Sequence, residues 1–346
     1  MQAGRAEFER LSPPGAALAF VHGTESPRLS AMGVEDAARG NPVSPGTIFQ
    51  IASLTKPFTA IVVLALAEAG RLRLDERAAQ WLDWLPAAYA PVTIRQLLNH
   101  TSGVVLDVRR QNVDELDIDE FRRRFVAAPP VFSPGERWEY ANAGYTLLSL
   151  IAEQVSGRSF AELLHAFIFR PLRMRRTRYR GPLSKAPGRA TGYDWVENRW
   201  VEAPPVYSGF GNTGIETTIA DLVRFAQGLH QRRMLSRASY VDMLTPGRLR
   251  SGAPLEFPFR GALVGYGLGW FLGRVCGEPV AFHGGTIAGF SSMLQWFPAR
   301  NFSVAALANG KSHPDRLGVA EKIAASAATA KALGCAPNPA HAGRAE

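Results

Sequence analysis

Cysteine is scarce in this 346-residue chain, which contains only Cys276 and Cys335. Two cysteines so far apart in sequence provide neither a disulfide framework nor the close spacing of a metal site. We therefore expect buried or free thiols at both positions. No metal or other cofactor is expected.

Long apolar runs are also missing. The longest, Phe58 to Ala67, is about half the roughly 20 residues that a membrane helix needs. Mixed charges at residues 5–10 precede a short apolar run at residues 15–21, with no small-residue cleavage site of the secretory kind. These features predict a cytoplasmic protein with no membrane partner.

The charge balance is basic, with 39 Lys and Arg residues against 30 Asp and Glu residues, for a net charge of +9. Such an excess can attract anions or nucleic acid. No zinc finger, phosphate loop or aromatic-interleaved motif accompanies the arginines, and charge alone gives only non-specific attraction. We interpret most of them as solvated surface and expect no nucleic-acid partner.

Strand-like patterns occur near both ends of the chain, and mostly helical patterns lie between them. The pattern predicts an α+β fold, with an antiparallel sheet flanked by helices and an inserted all-helical region. Residues 12–75 and 255–346 would form the α/β region, and residues 76–254 the mainly helical insertion. The predicted strands are 16–23, 46–52, 266–275, 278–283, 289–298 and 302–309, with N-caps at Thr93, Ser159 and Thr218 and a last helix at about 316–333.

A Ser-x-x-Lys motif, Ser53-Leu54-Thr55-Lys56, opens an apolar run that ends near Gly70. Pro57 follows at once, and proline is tolerated in a helix only within its first turn. The helix therefore begins close to Ser53. Lys56, three residues later, lies on the same helix face as Ser53. This arrangement places a hydroxyl and an amine together at the positive end of a buried helix.

Two further short motifs accompany the first. Tyr140-Ala141-Asn142 precedes a helical pattern that ends before Gly157, and His283-Gly284-Gly285-Thr286 follows a predicted strand. Read separately, Asn142 is a plausible N-cap, Tyr140 a packing aromatic and the glycine pair a strand end. The three motifs together arise by chance only about 0.004 times in such a sequence.

With these motifs the sequence resembles the serine penicillin-recognising enzymes, which include class C β-lactamases, D-alanyl-D-alanine carboxypeptidases, D-aminopeptidases and β-lactamase-like esterases. The resemblance runs from about Pro14 to Asn309 and includes residues 97–103 (LLNHTSG) and 266–270 (YGLGW). It implies an α/β region beside a helical region, with the site in the groove between them. The short segment before Pro14 predicts that a helix covering the sheet is short or absent.

The resemblance also implies roles for individual residues. Ser53 is similar to the nucleophile, Lys56 and Tyr140 to the proton-transfer pair, and Asn142 to a partner of the lysine and of the substrate amide. His283, Gly284, Gly285 and Thr286 would bind substrate, with the amides of Ser53 and Thr286 as the oxyanion hole. Which of Lys56 and Tyr140 is the base stays open, because two coupled groups can lose one proton jointly.

The predicted function is a serine hydrolase that cleaves small-molecule esters, amides or short peptides through a Ser53 acyl-enzyme. The alternatives are a β-lactamase or a slowly deacylating penicillin-binding sensor, and an acyltransferase. In β-lactamases of this class the third motif begins with lysine, whereas this chain has His283. A histidine with an ordinary pKa near 6.5 would bind anionic substrates better toward about pH 6. The oligomeric state is left open.

Overall fold

The computed structural model describes residues 1–105, 117–179, 188–204, 209–259, 262–312 and 318–327. The strands are β1 (Gly15–His22), β2 (Arg28–Asp36), β3 (Asn41–Pro42), β4 (Ile48–Gln50), β5 (Arg178–Tyr179), β6 (Tyr193–Val196), β7 (Arg199–Glu202), β8 (Ile215–Thr218), β9 (Glu256–Phe259), β10 (Ala262–Tyr266), β11 (Phe271–Val275), β12 (Glu278–Ile287), β13 (Phe290–Phe297) and β14 (Phe302–Ala308). The helices are α1 (Gln2–Leu11), α2 (Thr55–Glu68), α3 (Ile94–Leu98), α4 (Ile118–Ala127), α5 (Asn142–Ser156), α6 (Phe160–Leu164), α7 (Ile219–His230), α8 (Arg237–Met243) and α9 (Val319–Ala327).

One antiparallel sheet unites the two ends of the described chain. Its nine strands lie in the order β3-β2-β1-β14-β13-β12-β11-β10-β9, and β1 pairs with β14 from Ala16↔Ala308 to His22↔Phe302. The predicted α+β class is therefore confirmed: strands from early and late sequence share one sheet.

The central strands are buried on both faces because side chains alternate along a strand. On β14, Val304 and Ala306 pack into a cluster with α1 and α9, whereas Ala305 and Leu307 belong to the larger core that contains α2 and α7. Helices thus cover both faces of the sheet, and α2 is buried between the sheet and the other helices.

Helix α2 begins and ends where the sequence predicts. A 3₁₀ turn over Ala52–Leu54 leads into it, Pro57 lies in its first turn, and Gly70 follows its end with φ 68°. Phe58 on α2 is fully buried and stacks on Phe225 of α7, with ring centroids 3.9 Å apart. These contacts fix the start of α2 in the core.

A second, three-stranded sheet holds the residues just before α2. It has the order β4-β8-β5. The Ile51 amide donates to the Ile215 carbonyl at 3.1 Å, and the Ile215 amide donates to Thr55 Oγ1 at 3.3 Å. The predicted strand at 46–52 therefore forms, over β4, but in this separate sheet and not in the main one.

Several predicted elements differ in extent. The expected single strand 266–275 is two strands, β10 and β11, because residues 267–270 turn between them with Gly269 at φ 85°. Strand β12 continues to Ile287, so His283-Gly284-Gly285 lies inside a strand and not at its end. Strand β2 was missed because its burial alternates irregularly at the sheet margin. Helix α1 is present with ten residues and packs against α9. Helix α9 lies within the predicted last helix, 316–333; the two ends of that predicted range fall outside the described residues 318–327.

The helix caps follow the predicted chemistry. The side chains of Thr93, Ser159 and Thr218 each accept a hydrogen bond from an amide of the first turn. A full capping box, in which the third helical residue also bonds back, forms at Ser159 and, unexpectedly, at Thr93 with Gln96.

The thiol prediction for Cys276 is wrong, since this cysteine is disulfide-bonded. Cys335 lies outside the described residues. The sequence gave no indication that Cys276 is bonded, because spatial proximity and not sequence distance decides disulfide formation.

The division into residues 12–75 with 255–346 and an insertion at 76–254 stays a prediction. The middle segment contains short strands, β5 to β8, among its helices. Among the described helices, none combines the length and apolar character that a bilayer crossing requires.

Phe58→Ala is expected to lower the free energy of unfolding by about 3–5 kcal/mol, because it removes a fully buried ring and leaves a cavity. Chemical denaturation measures the loss. Val241→Ala is the control, since Val241 is 59% exposed, and its effect should stay within about 0.5 kcal/mol. Equal effects of the two substitutions would show that α2 is not anchored through this stack.

Candidate active site

Ser53 lies at the entrance to the buried helix α2 and is itself partly exposed. The preceding residue, Ala52, is buried and adopts φ 47°, a left-handed conformation that residues with a Cβ rarely take. Unusual backbone of this kind concentrates at functional sites. The turn holds the Ser53 hydroxyl at the helix start while the chain behind it enters the core.

Lys56 is fully buried, and its Nζ connects three polar groups. Nζ lies 3.1 Å from Ser53 Oγ, 2.9 Å from Asn142 Oδ1 and 3.2 Å from the Asn212 carbonyl oxygen. A buried amine without such partners would be strongly destabilising. The three partners come from the 3₁₀ turn before α2, from α5 and from the loop before β8, so one side chain joins three parts of the chain.

These contacts suit both protonation states of the amine. Asn142 Oδ1 and the Asn212 carbonyl can only accept, and the two hydrogens of a neutral amine satisfy them while its lone pair faces Ser53 Oγ. An ammonium donates to all three oxygens. A proton can therefore move from Ser53 to Lys56 without a rearrangement of the site.

Tyr140 and Asn142 flank this amine from the start of α5. Nζ of Lys56 lies 4.7 Å from the centroid of the Tyr140 ring. Asn142 is the first residue of α5 and not its N-cap, which is Ala141. The amide side chain of Asn142 is thus directed to Lys56, and the interpretation of Asn142 as a cap is wrong.

His283 is 2% exposed and packs among aromatic rings, including Phe271 at 5.3 Å and Tyr140 at 6.4 Å between centroids. Its Nδ1 lies 2.7 Å from the Gly284 carbonyl oxygen, which can only accept, so Nδ1 carries the proton. Its Nε2 then accepts a hydrogen bond from the Tyr266 hydroxyl at 3.2 Å. This pairing fixes a neutral tautomer.

Burial, with a further contribution from the nearby positive charge of Lys56, lowers the pKa of His283 to about 3. The expectation that His283 gains a charge toward pH 6 is therefore wrong. Unfolding would free the imidazole to protonate. Its contribution to stability is thus complete above its ordinary pKa of about 6.5 and is lost as the pH falls toward its folded pKa of about 3.

At Gly285, β12 passes directly against the backbone of Ile51 and Ser53. A Cβ at this position would clash with the Ile51 carbonyl and lie 2.8 Å from the Ser53 nitrogen. Ser292 on the neighbouring strand donates to that same carbonyl at 2.7 Å. This close approach brings the third motif directly beside the first. Gly284 is partly exposed there, and Thr286 is exposed.

Sequence reasoning missed a set of polar and aromatic residues around these motifs. His100 stacks near Tyr140 with ring centroids 4.5 Å apart, and Trp138 stacks on Phe257 at 3.6 Å. Tyr145 donates to the Leu98 carbonyl at 2.7 Å. The signal for His100 and Tyr266 was present in the stretches 97–103 and 266–270, but neither stretch showed which side chain would reach the site.

Comparison with known proteins gives concordant matches. The β-lactamase family profile matches residues 5–328. Penicillin-binding protein 4* of Bacillus subtilis (strain 168) is 30% identical over 295 residues, which cover 76% of this chain and 61% of that protein. The chain thus spans less than two thirds of the length of this curated relative.

Two solved structures share the architecture. The penicillin-binding protein from Bacillus halodurans superposes with a TM-score of 0.78 at 29% identity, covering 90% of this chain and 95% of that one. A D-stereospecific amidohydrolase from Streptomyces sp. superposes with a TM-score of 0.75 at 25% identity, covering 90% and 94%. Both likenesses thus extend over nine tenths of this chain.

Gly285→Ala is expected to lower kcat/KM on the order of 10²-fold, because a displaced Ser53 backbone misaligns the nucleophile. Steady-state kinetics with an ester substrate measures the loss. Gly144→Ala is the control, since a Cβ there meets its nearest neighbour at an ordinary 3.5 Å. Full activity of Gly285→Ala would contradict the steric interpretation of the third motif.

The ratio of kcat/KM for matched neutral and anionic substrates is expected to stay constant between about pH 5.5 and 8.5, because His283 remains neutral there. His283→Gln should show the same flat ratio. A ratio that titrates near pH 6.5 in the wild type and not in His283→Gln would show that His283 does become charged.

Proposed function

Because the chain belongs to the β-lactamase family, we propose that it is a serine hydrolase that cleaves esters or amides through an acyl-enzyme on Ser53. The observation that carries this proposal is the buried Lys56 amine, 3.1 Å from Ser53 Oγ and 2.9 Å from Asn142 Oδ1. A nucleophile within hydrogen-bond reach of a base that is itself oriented by a third group is the arrangement that nucleophilic catalysis requires.

In the acylation step, Ser53 Oγ attacks the carbonyl carbon of the substrate while its proton passes to the Lys56–Tyr140 pair. The C–O or C–N bond to the leaving group then breaks, and the pair returns the proton to the leaving oxygen or nitrogen, with Tyr140 as the donor. In deacylation, water attacks the acyl carbon and gives one proton to the pair; the bond between the acyl carbon and Ser53 Oγ then breaks, the pair returns the proton to Oγ, and the acid leaves. One proton is thus transferred and returned in each half-reaction.

The negative oxygen of each tetrahedral intermediate needs preorganised donors. We assign this role to the backbone amides of Ser53 and Thr286. Gly285 supports the assignment, since its missing side chain lets β12 approach the Ser53 amide closely. Asn142, which bonds Lys56 through Oδ1, would bind the substrate amide as well.

Two features indicate the substrate class. The third motif offers a neutral His283 where a lysine would offer a cation, so it provides no charge for the carboxylate of a β-lactam. The superposed D-stereospecific amidohydrolase suggests amides of D-amino acids. We therefore propose neutral short esters and D-aminoacyl amides or short peptides as substrates, in preference to anionic β-lactams.

The site of attachment is tested by intact mass after treatment with a fluorophosphonate. One adduct per chain is expected for the wild type and none for Ser53→Ala. Ser149→Ala is the matched control, because Ser149 is a buried serine whose hydroxyl donates to the Thr146 carbonyl within α5, and it should keep the adduct. An undiminished adduct on Ser53→Ala would overturn the proposal.

Lys56→Met and Tyr140→Phe are each expected to lower kcat by about 10²–10⁴-fold, the range for a positioned acid or base. As members of one proton-transfer unit they should not be additive, so the double variant should be little slower than the slower single variant. The comparison requires kcat for all four proteins on one ester. Losses that multiply fully would show that the two residues act independently.

A further inference from the structure

His100 lies in the short segment that follows α3 and is 1% exposed. Its backbone adopts φ 60°, which is uncommon for a residue with a side chain. Its carbonyl accepts a hydrogen bond from the Glu139 amide at 3.0 Å. The segment therefore holds the chain just before Tyr140 by its backbone, and the unusual conformation turns the imidazole toward the same stretch.

The imidazole of His100 binds a second backbone amide in the same stretch, that of Ala141. The Ala141 N–H donates to Nδ1 at 3.1 Å, so Nδ1 carries no proton and Nε2 must carry it in the neutral ring. Burial, with the nearby positive charge of Lys56, keeps the pKa of His100 well below its ordinary value, which agrees with the neutral state. The donor Ala141 separates Tyr140 from Asn142.

Packing alone does not account for an imidazole here. Within the described residues, the buried Nε2 has no hydrogen-bond partner, and the ring lies among those of Tyr140, Tyr145 and Tyr266 at 4.5–5.1 Å between centroids. A buried, unpaired N–H costs about 1–3 kcal/mol. An apolar side chain of similar shape would avoid that cost but would leave the Ala141 amide without its acceptor.

We propose that His100 is a positioning residue of the hydrolase. Its neutral Nδ1 fixes the Ala141 amide, so that Tyr140 and Asn142 lie on either side of the Lys56 amine in the geometry that proton transfer needs. This inference rests on the proposed function. It concerns the orientation of the proton-transfer pair and not contact with substrate, and a misplacement of about 1 Å at such a pair costs on the order of 10²-fold in rate.

The test compares His100→Asn with His100→Leu, two side chains of nearly equal shape. Asn keeps an acceptor at the δ position and tolerates a positive φ, whereas Leu has no acceptor. His100→Leu should lower kcat on the order of 10²-fold with KM changed less than about threefold, the pattern of a group that acts in the transition state. His100→Asn should recover at least about tenfold of that loss.

His230→Leu is the matched control for a general structural effect. His230 is half-buried and, like His100, accepts an N–H at Nδ1, here from Trp296 at 3.2 Å, but it lies at the end of α7. Melting temperatures of all variants are compared with their kcat. A loss of kcat in His230→Leu equal to that in His100→Leu would overturn the positioning role, as would equal losses in His100→Asn and His100→Leu.

A double-variant cycle identifies what His100 acts through. In a Tyr140→Phe background, His100→Leu should reduce kcat by much less than in the wild type, because the group it positions is already disabled. A reduction as large as in the wild type would contradict the proposal. The rate of fluorophosphonate attachment to Ser53 separates the two hypotheses: no attachment in the wild type refutes the hydrolase itself, whereas equal rates in wild type and His100→Leu refute only the role of His100.

The tautomer provides a test that needs no variant to fold. In ¹⁵N-labelled wild-type protein, the His100 resonances should show an unprotonated Nδ1 and a protonated Nε2 throughout about pH 5.5–8.5. A proton on Nδ1 would overturn the inference, because that nitrogen could not then accept from Ala141.

Discussion

The site depends on one constraint, the burial of the Lys56 amine. An amine removed from water must keep hydrogen-bond partners, and a buried charge must keep them above all. Lys56 finds them in Ser53, Asn142 and the Asn212 carbonyl, which lie at the start of α2, at the start of α5 and before β8. The hydrogen bonds of one side chain therefore bring together Ser53, the start of α5 and the loop before β8.

Other features follow from that arrangement. The hydroxyl must remain accessible while the amine is buried, so the chain turns sharply through Ala52 at φ 47° before α2 begins. Strand β12 must pass against this turn, which requires Gly285. Protonation of either nearby histidine, His100 or His283, would place a second positive charge beside Lys56, and burial together with that charge keeps both neutral. Both histidines are thus neutral groups beside the Lys56 amine.

The sequence predicted the parts of the site that local rules govern. Pro57 and Gly70 delimit α2 because proline and glycine have restricted places in a helix, and the i,i+3 spacing placed Lys56 beside Ser53. The α+β class followed from strand patterns at both ends. Local rules failed where distant residues decide the outcome. The glycine pair 284–285 suggested a strand end, but the strand continues because its pairing with β13 extends to Ile287, and Gly285 allows its close approach to Ile51.

The electrostatics could not be predicted for the same reason. The pKa of His283 depends on burial and on Lys56, more than 200 positions away in sequence. The contact between His100 and Ala141 joins residues 41 positions apart. A motif identifies which residue types are present, but the protonation state of a histidine is set by neighbours that only the fold brings together.

The central claim, that turnover passes through an ester of Ser53, is tested most directly by trapping that ester during catalysis. A short-chain nitrophenyl ester is mixed with the protein, quenched in acid within the first turnover and mapped by peptide mass. We predict a burst of about one nitrophenolate per chain and an acyl mass on the peptide that contains Ser53. Turnover without any acylated peptide, or with the acyl group on another residue, would contradict the account.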